Sequence, residues 1–372
     1  MSVADLPDFP WDSVAPYALR AREHAGGIVD LSIGSPVDET PALIREALAA
    51  ATDAHFYPQT IGTPALREAI VTWFARRRAV THLDPSQVVP TVGSKELVAL
   101  LPLLLGIGSK DTVVFPRVAY PTYEVGARLV DAKPFASDAP DEWPDDTRLV
   151  WLNSPGNPDG KVLDIGFLRE AVARARELGA VIVSDECYAE LGWDAPWDCT
   201  PIPSILDARV TGGDDTGVLV TYSLSKQSNL AGYRAAFLAG DQALISAVST
   251  VRKHLGLITP WPVQQAMLAA LADDEHMLAQ KKLYRERRAI LRLALEAAGF
   301  RIDESHAGLY LWVTEQRDAW ASMARLAGLG ILAGPGPFYG TDAAQHVRLS
   351  LTATTERVRA AARRLLENPN NL

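Results

Sequence analysis

Lys226 stands at the end of the apolar run VLVTYSLSK. A lysine amine at such a strand end can bond an aldehyde carbon once burial and neighbours lower its pKa. A second run, VIVSDECYAEL, places Asp185 at its end and Tyr188 three residues later; a carboxylate there is costly unless it meets a cation. Gly93-Ser94-Lys95 follows VVPTV and opens the helical pattern ELVALLPLLL, so free N–H groups and a helix dipole point at one spot suited to a phosphate. Ser223, Ser225 and Arg234, the last eight residues after the lysine, add hydroxyls and a guanidinium. Each feature has a plainer reading alone: Ser94 as a helix cap, Asp185 as a cap or ion-pair member, Lys226 as a lysine on a solvated loop. Amine, acid and anion cradle together describe a site for a phosphorylated aldehyde, with Tyr120, Asn157 and Tyr188 at further strand ends.

The elements that must position these residues are short and β-rich. VVPTV (88–92), DTVVFP (111–116), TRLVWLN (147–153), AVIVSDE (180–186) and GVLVTYS (217–223) alternate with helical patterns. Their nearly continuous Val, Ile and Leu content predicts strands covered on both faces, hence an α/β fold with a mostly parallel central sheet flanked by helices. Ligands of such sheets lie beyond the carboxyl ends of the strands. After Gly240 the pattern predicts helices over 244–254 and 262–298, then strands in FRIDES, GLYLWVT and HVRLSLT and a helix over 355–366: a smaller α+β domain. The first 40 residues carry one helix signal (12–24) and one strand signal, IVDLSIG. The expected organisation is an arm with part of the small domain (1–40), a large cofactor-binding domain (41–255), and a connecting helix with the C-terminal small domain (256–372).

Composition narrows the function. The 372 residues carry a net charge of −9 with pI near 5.3, which argues against sequence-independent nucleic-acid binding. Cys187 and Cys199 are too few for a disulfide framework or a thiolate metal site, and no histidine has metal-ligand spacing, so no metal is expected. MSVADLPDF lacks the basic and apolar regions of a secretory signal. The apolar stretch 97–107 contains Pro102 and falls short of the roughly 18 apolar residues of a membrane span. A cytoplasmic location without membrane attachment is the expectation.

Pyridoxal 5′-phosphate needs a lysine for its aldehyde, an acid for its ring nitrogen and donors for its phosphate, the three types assembled here. LSIGSP (31–36), Tyr57 followed by GTPALREA, VGSKE, YPTY, NSPGNPDG, SDECY, SLSK and HVRLS occur in order along the chain. With these motifs the sequence resembles the fold-type I, class I/II pyridoxal-phosphate aminotransferases over nearly its whole length. VAYPTYEVG and SLSKQSNLAGYRAAF look most similar to bacterial N-succinyldiaminopimelate aminotransferases of lysine biosynthesis.

The resemblance implies that Lys226 bonds the cofactor aldehyde, that Asp185 partners the ring nitrogen, and that Asn157 and Tyr188 bind the phenolic oxygen. It implies Tyr120 stacked on the ring, and Gly93, Ser94, Lys95, Ser223, Ser225 and Arg234 around the phosphate. Tyr57 would reach the phosphate of a neighbouring subunit, so a homodimer with shared sites is implied. Arg348 would hold the substrate α-carboxylate, with the Gly34 backbone closing against it. Small amino and keto acids are the implied partners, glutamate the common donor, and ping-pong transfer the implied kinetics. Arg117 is a candidate cation for a second acidic group, weighed against a solvated surface charge. Two departures stand out: Asp159 replaces the usual threonine of the NPTG turn, and Ala236 replaces a common glycine. A β-lyase on the same fold, an aminotransferase for other amino acids and a non-catalytic ligand-sensing module are the competing functions.

Overall fold

The computed structural model describes Leu6 and residues 10–369. Residues 1–5 and 7–9 of the expected arm, and 370–372 of the expected small domain, lie outside the described residues. A seven-stranded sheet runs in the order Val88–Val92, Ala235–Gly240, Val218–Ser223, Val181–Asp185, Thr147–Asn153, Thr112–Phe115, Lys133–Ala136. All pairs are parallel except those made by Ala235–Gly240, which is antiparallel to both neighbours.

Side-chain alternation along the strands divides the interior into two layers. Val150, Leu152, Ile182, Val218, Val220 and Phe237 join one core cluster, whereas Leu149, Trp151, Val183, Leu219 and Leu238 join the cluster on the opposite face. Helices close both layers; Ile165–Leu178, for example, starts where Asp164 accepts from the Phe167 N–H at 2.8 Å and stops at Gly179, φ 62°.

A four-stranded antiparallel sheet, Gly334–Pro335, His346–Ser350, Tyr310–Thr314 and Arg301–Asp303, and a two-stranded parallel pair, Val29–Asp30 with Ile331–Leu332, build a second unit. Its core draws Val14, Val29 and Leu31 together with residues from Tyr284 to Leu365.

Three expectations are corrected. The helix predicted over 262–298 is two, Trp261–Ala272 and Glu275–Ala297. Asp273 turns extended between them (φ −118°, ψ 124°) and its carboxylate accepts from the His276 N–H at 2.9 Å, a helix-start role. Four strands went unpredicted: Ala235–Gly240, whose alanines carry little β signal, the edge strand Lys133–Ala136, which contains Pro134, and the two-residue strands Ile331–Leu332 and Gly334–Pro335. IVDLSIG pairs only at Val29–Asp30, because Ser32, Ile33 and Gly34 give their carbonyl oxygens to side chains.

Candidate active site

Sheet register gathers the site at one end of the strands. Asn153 lies opposite Asp185, and Asp185 opposite Thr221; Ser223 and Thr91 both lie opposite Ala236. The turns leaving these ends therefore bring Asn157, Gly93, Arg234 and Lys226 around one region. Asn153 fixes the first of them: its amide donates to the Asp185 carbonyl at 2.8 Å and accepts from the Asn157 N–H at 2.8 Å.

Asp185 is buried, accepting from the Tyr123 hydroxyl at 3.0 Å and the Cys187 N–H at 3.2 Å. Burial pushes its carboxyl above the usual value, and the bonds from Cys187 and Tyr123 oppose that rise without cancelling it. A cationic nitrogen facing Asp185 would restore its charge.

The anion cradle is formed by close approach. Gly93, at φ 81°, caps the helix Ser94–Leu104, and a Cβ on it would lie 2.2 Å from Nη2 of Arg234, so only glycine fits. Arg234 is itself held in the left-handed region (φ 57°), an uncommon state for a non-glycine residue and one found at ligand sites. Ser223 Oγ lies 2.8 Å from Ser225 Oγ. Ser94 opens the helix beside Cys187, while the Lys95 side chain is exposed, which leaves its backbone to serve the cradle.

Lys226 is half-buried and its Nζ donates to the Gly34 carbonyl. Burial is the main cause that lowers its pKa; Arg348 and Arg234 act in the same direction, and Tyr310 and Cys187 oppose them. Arg348 is buried and donates from Nη1 to Asn157 Oδ1 at 2.7 Å and from Nη2 to the Ser32 carbonyl at 2.6 Å. Its Nε has no partner among the described residues, and a buried guanidinium N–H in that state suits a carboxylate. Tyr120 is half-buried, its ring 5.9 Å edge-on to Tyr123, and burial pushes its phenol up to about 12.

Pyridoxal 5′-phosphate fits these residues. The cradle that a Cβ at Gly93 would fill suits the phosphate, the buried Asp185 suits a protonated ring nitrogen, and Lys226 suits the aldehyde.

The family profile for "Aminotransferase class I and II" matches residues 27–365. The chain belongs to the class I and II aminotransferases. This aminotransferase is 54% identical over 97% of its length to the 4-dedimethylamino-4-oxo-anhydrotetracycline transaminase OxyQ of Streptomyces rimosus, 99% of which is covered. It is 52% identical over 97% of its length to the "Probable aminotransferase Rv1178" of Mycobacterium tuberculosis, 86% of which is covered. Among solved structures, a probable N-succinyldiaminopimelate aminotransferase from Thermus thermophilus superposes with a TM-score of 0.85 at 28% identity, covering 96% of this chain and 99% of the other. The fold is fold-type I, and the family's cofactor is pyridoxal 5′-phosphate.

Lys226, Asp185, Asn157, Arg348, Gly34, Gly93, Ser94, Ser223, Ser225 and Arg234 thus surround one place in this aminotransferase. Tyr57 stands 97% exposed. Arg117 is half exposed and paired with Asp342 at 2.7 Å. Tyr188 faces a residue that the motifs leave unmarked: its hydroxyl lies 3.3 Å from that of Tyr310, which in the sequence is only part of the strand GLYLWVT. Tyr123 and Asn153 stand inside the motifs YPTY and NSPGNPDG, but the motifs assign them no role of their own.

Proposed function

We propose that this aminotransferase moves an amino group from glutamate to a keto acid by ping-pong transfer, with Lys226, Asp185 and Tyr188 at the reacting centre. One observation carries the reading: Arg348 and Lys226 converge on the same short segment, the first donating to the Ser32 carbonyl and the second to that of Gly34. A carboxylate anchored on the free edge of Arg348 therefore brings its Cα to the Lys226 amine.

The cofactor, when bound, supplies an electron sink for negative charge arising at that Cα. Lys226, kept below the ordinary lysine pKa by burial, takes the Cα proton and would deliver it to the carbon that the cofactor's aldehyde supplies. Asp185 would keep a ring nitrogen protonated, Asn157 and Tyr188 would bind a phenolic oxygen, and Tyr120 would offer its ring for stacking. Gly93, Ser94, Lys95, Ser223, Ser225 and Arg234 hold the phosphate.

The working form on this reading is a homodimer in which Tyr57 serves the neighbour's phosphate. Its exposure, with Phe56 at 46% and Ile61 at 38%, supports a face covered by a second copy. Residues 1–40, 41–255 and 256–372 serve as arm, cofactor domain, and connecting helix with small domain, although Ala266, Met267, Ala270 and Leu271 of the helix Trp261–Ala272 join the cofactor domain's core. Two free cysteines and no helix among the described residues long and apolar enough to cross a membrane accord with work in the cytoplasm.

For the acceptor, similarity to the Thermus structure supports the succinylated amino-oxopimelate of lysine biosynthesis. A second reading, a larger cyclic ketone, is favoured by the 54% identity to OxyQ and by the engagement of Arg117 with Asp342, which takes that cation from a distal carboxylate. The test is a panel of keto compounds with glutamate as donor, following the cofactor spectrum and 2-oxoglutarate release. Turnover of the succinylated compound supports the first reading; success only on other ketones supports the second. Pyruvate and ammonia from a cysteine conjugate, without transamination, would establish a β-lyase, and activity retained by Lys226→Ala would refute all of these enzymatic readings.

A further inference from the structure

Tyr310 lies in the middle of this site without any role from the motifs. It is buried on the strand Tyr310–Thr314, and three contacts converge on it. The Arg348 guanidinium carbon sits 3.9 Å from its ring centroid, with the Tyr339 ring at 5.0 Å from the same carbon. Its hydroxyl lies 3.3 Å from that of Tyr188. A Cβ on Gly34 would meet that same hydroxyl at 2.1 Å, and the Gly34 carbonyl is where Lys226 Nζ donates.

Each contact has a chemical consequence. An aromatic face stabilises a buried guanidinium without using any of its N–H groups. A carboxylate partner would occupy the fork; the ring leaves the in-plane Nε edge open for substrate. The hydroxyl works differently, since an oxygen beside an amine favours the protonated amine. The charged and titratable groups facing it are Arg348, Lys226, Tyr188, Cys187, Tyr120, Tyr284 and Tyr339, while Lys226 faces Tyr310, Cys187, Arg348 and Arg234. Burial resists ionisation of Tyr310, but Arg348, Lys226 and the Tyr188 hydroxyl outweigh it and hold this phenol below the ordinary tyrosine value. Tyr188 is pushed well above that value by burial and by Tyr310. Either hydroxyl can be the donor of the pair.

We propose that Tyr310 is a positioning residue with two separable tasks: its ring face orients Arg348 for the substrate carboxylate, and its hydroxyl, paired with Tyr188, sets the proton balance at Lys226. The inference rests on the aminotransferase function proposed for this site. The natural holoenzyme, Tyr310→Phe and Tyr310→Leu are compared by pH titration of the cofactor's visible absorption and by KM and kcat for 2-oxoglutarate.

Tyr310→Phe keeps the ring and loses the oxygen: the spectral midpoint falls by at least half a pH unit and KM stays within about twofold. Tyr310→Leu loses both, so KM also rises at least tenfold. A Tyr310→Phe midpoint equal to that of the natural protein overturns the hydroxyl task, and an unchanged KM in a folded, cofactor-loaded Tyr310→Leu overturns the ring task. If Tyr310→Leu does not fold, KM in a folded, cofactor-loaded Tyr310→Met decides the ring task in the same way, since it too lacks the aromatic face on Arg348. Failure of the natural protein to transaminate glutamate refutes the underlying reading instead, and the spectral comparison still judges the hydroxyl.

Discussion

Replacing Asp159 by Asn should stabilise this protein at high pH and leave it unchanged at low pH. Asp159 stands in the turn between Asn157 and Lys161, with a carboxyl oxygen that accepts from the Lys161 N–H at 3.1 Å. The same oxygen lies 2.0 Å from where a Cβ on Gly156 would be, so the carboxyl is pressed onto the turn itself. Burial is the main cause that raises its pKa, from 3.8 to about 6; Glu304 and Asp138 add to the rise and Lys161 opposes it. The folded state thus binds the proton more tightly than the unfolded chain. Stability is then lost as pH climbs from about 4 to about 6, with the full penalty present above that window. A shift of about two units corresponds to about 3 kcal/mol at 1.36 kcal/mol per unit, and solvent reaching a half-buried side chain lowers this to about 1–2 kcal/mol. Asparagine keeps the acceptor for the Lys161 N–H and carries no charge. Thermal melting of the cofactor-free protein should therefore show Asp159→Asn about 2–4 °C above the natural protein at pH 8, and coincident with it at pH 4. Equal melting at pH 8, or a gain as large at pH 4, would refute the idea that the ionised carboxylate is the costly species.

Other outcomes follow from the site. Gly93→Ala places a methyl 2.2 Å from Arg234 at φ 81°; cofactor affinity measured by fluorescence should fall at least tenfold, equivalent to about 1.4 kcal/mol. Arg348→Lys loses the fork that holds Asn157 and the Ser32 carbonyl, so kcat/KM for glutamate should fall about 10- to 100-fold, the range of about 1.5–3 kcal/mol for bonds to a charged group. Tyr57→Ala and Lys226→Ala are each expected to lack activity, but co-expressed chains should recover part of it, because a mixed dimer holds one site with both natural residues. No recovery in purified mixed dimers would speak against shared sites.

Sequence disclosed most of the site because its residues sit at strand ends, where continuous apolar runs announce the strand and the first polar residue announces its end. Asp185, Lys226 and Gly93 were all legible in that way. Tyr310 was not. It is a polar residue inside a strand of the second sheet, and only the folded chain brings its hydroxyl to 3.3 Å from that of Tyr188 and its ring to 3.9 Å from the Arg348 guanidinium carbon. Ala235–Gly240 escaped for a different reason: its place between Val88–Val92 and Val218–Ser223 is dictated by long-range pairing, which local propensity does not carry. The break at Asp273 was visible as a cap signal but was overridden by the helical periodicity on both sides.

The carbonyls of Ser32 and Gly34 serve residues that lie 316 and 192 positions further along the chain. Segment 29–34 is made before its parallel strand at Ile331–Leu332 and before its arginine at position 348. On the proposed reading, a nascent fragment that folds its large sheet before Arg348 has been made is a cofactor cradle without that means of gripping a substrate.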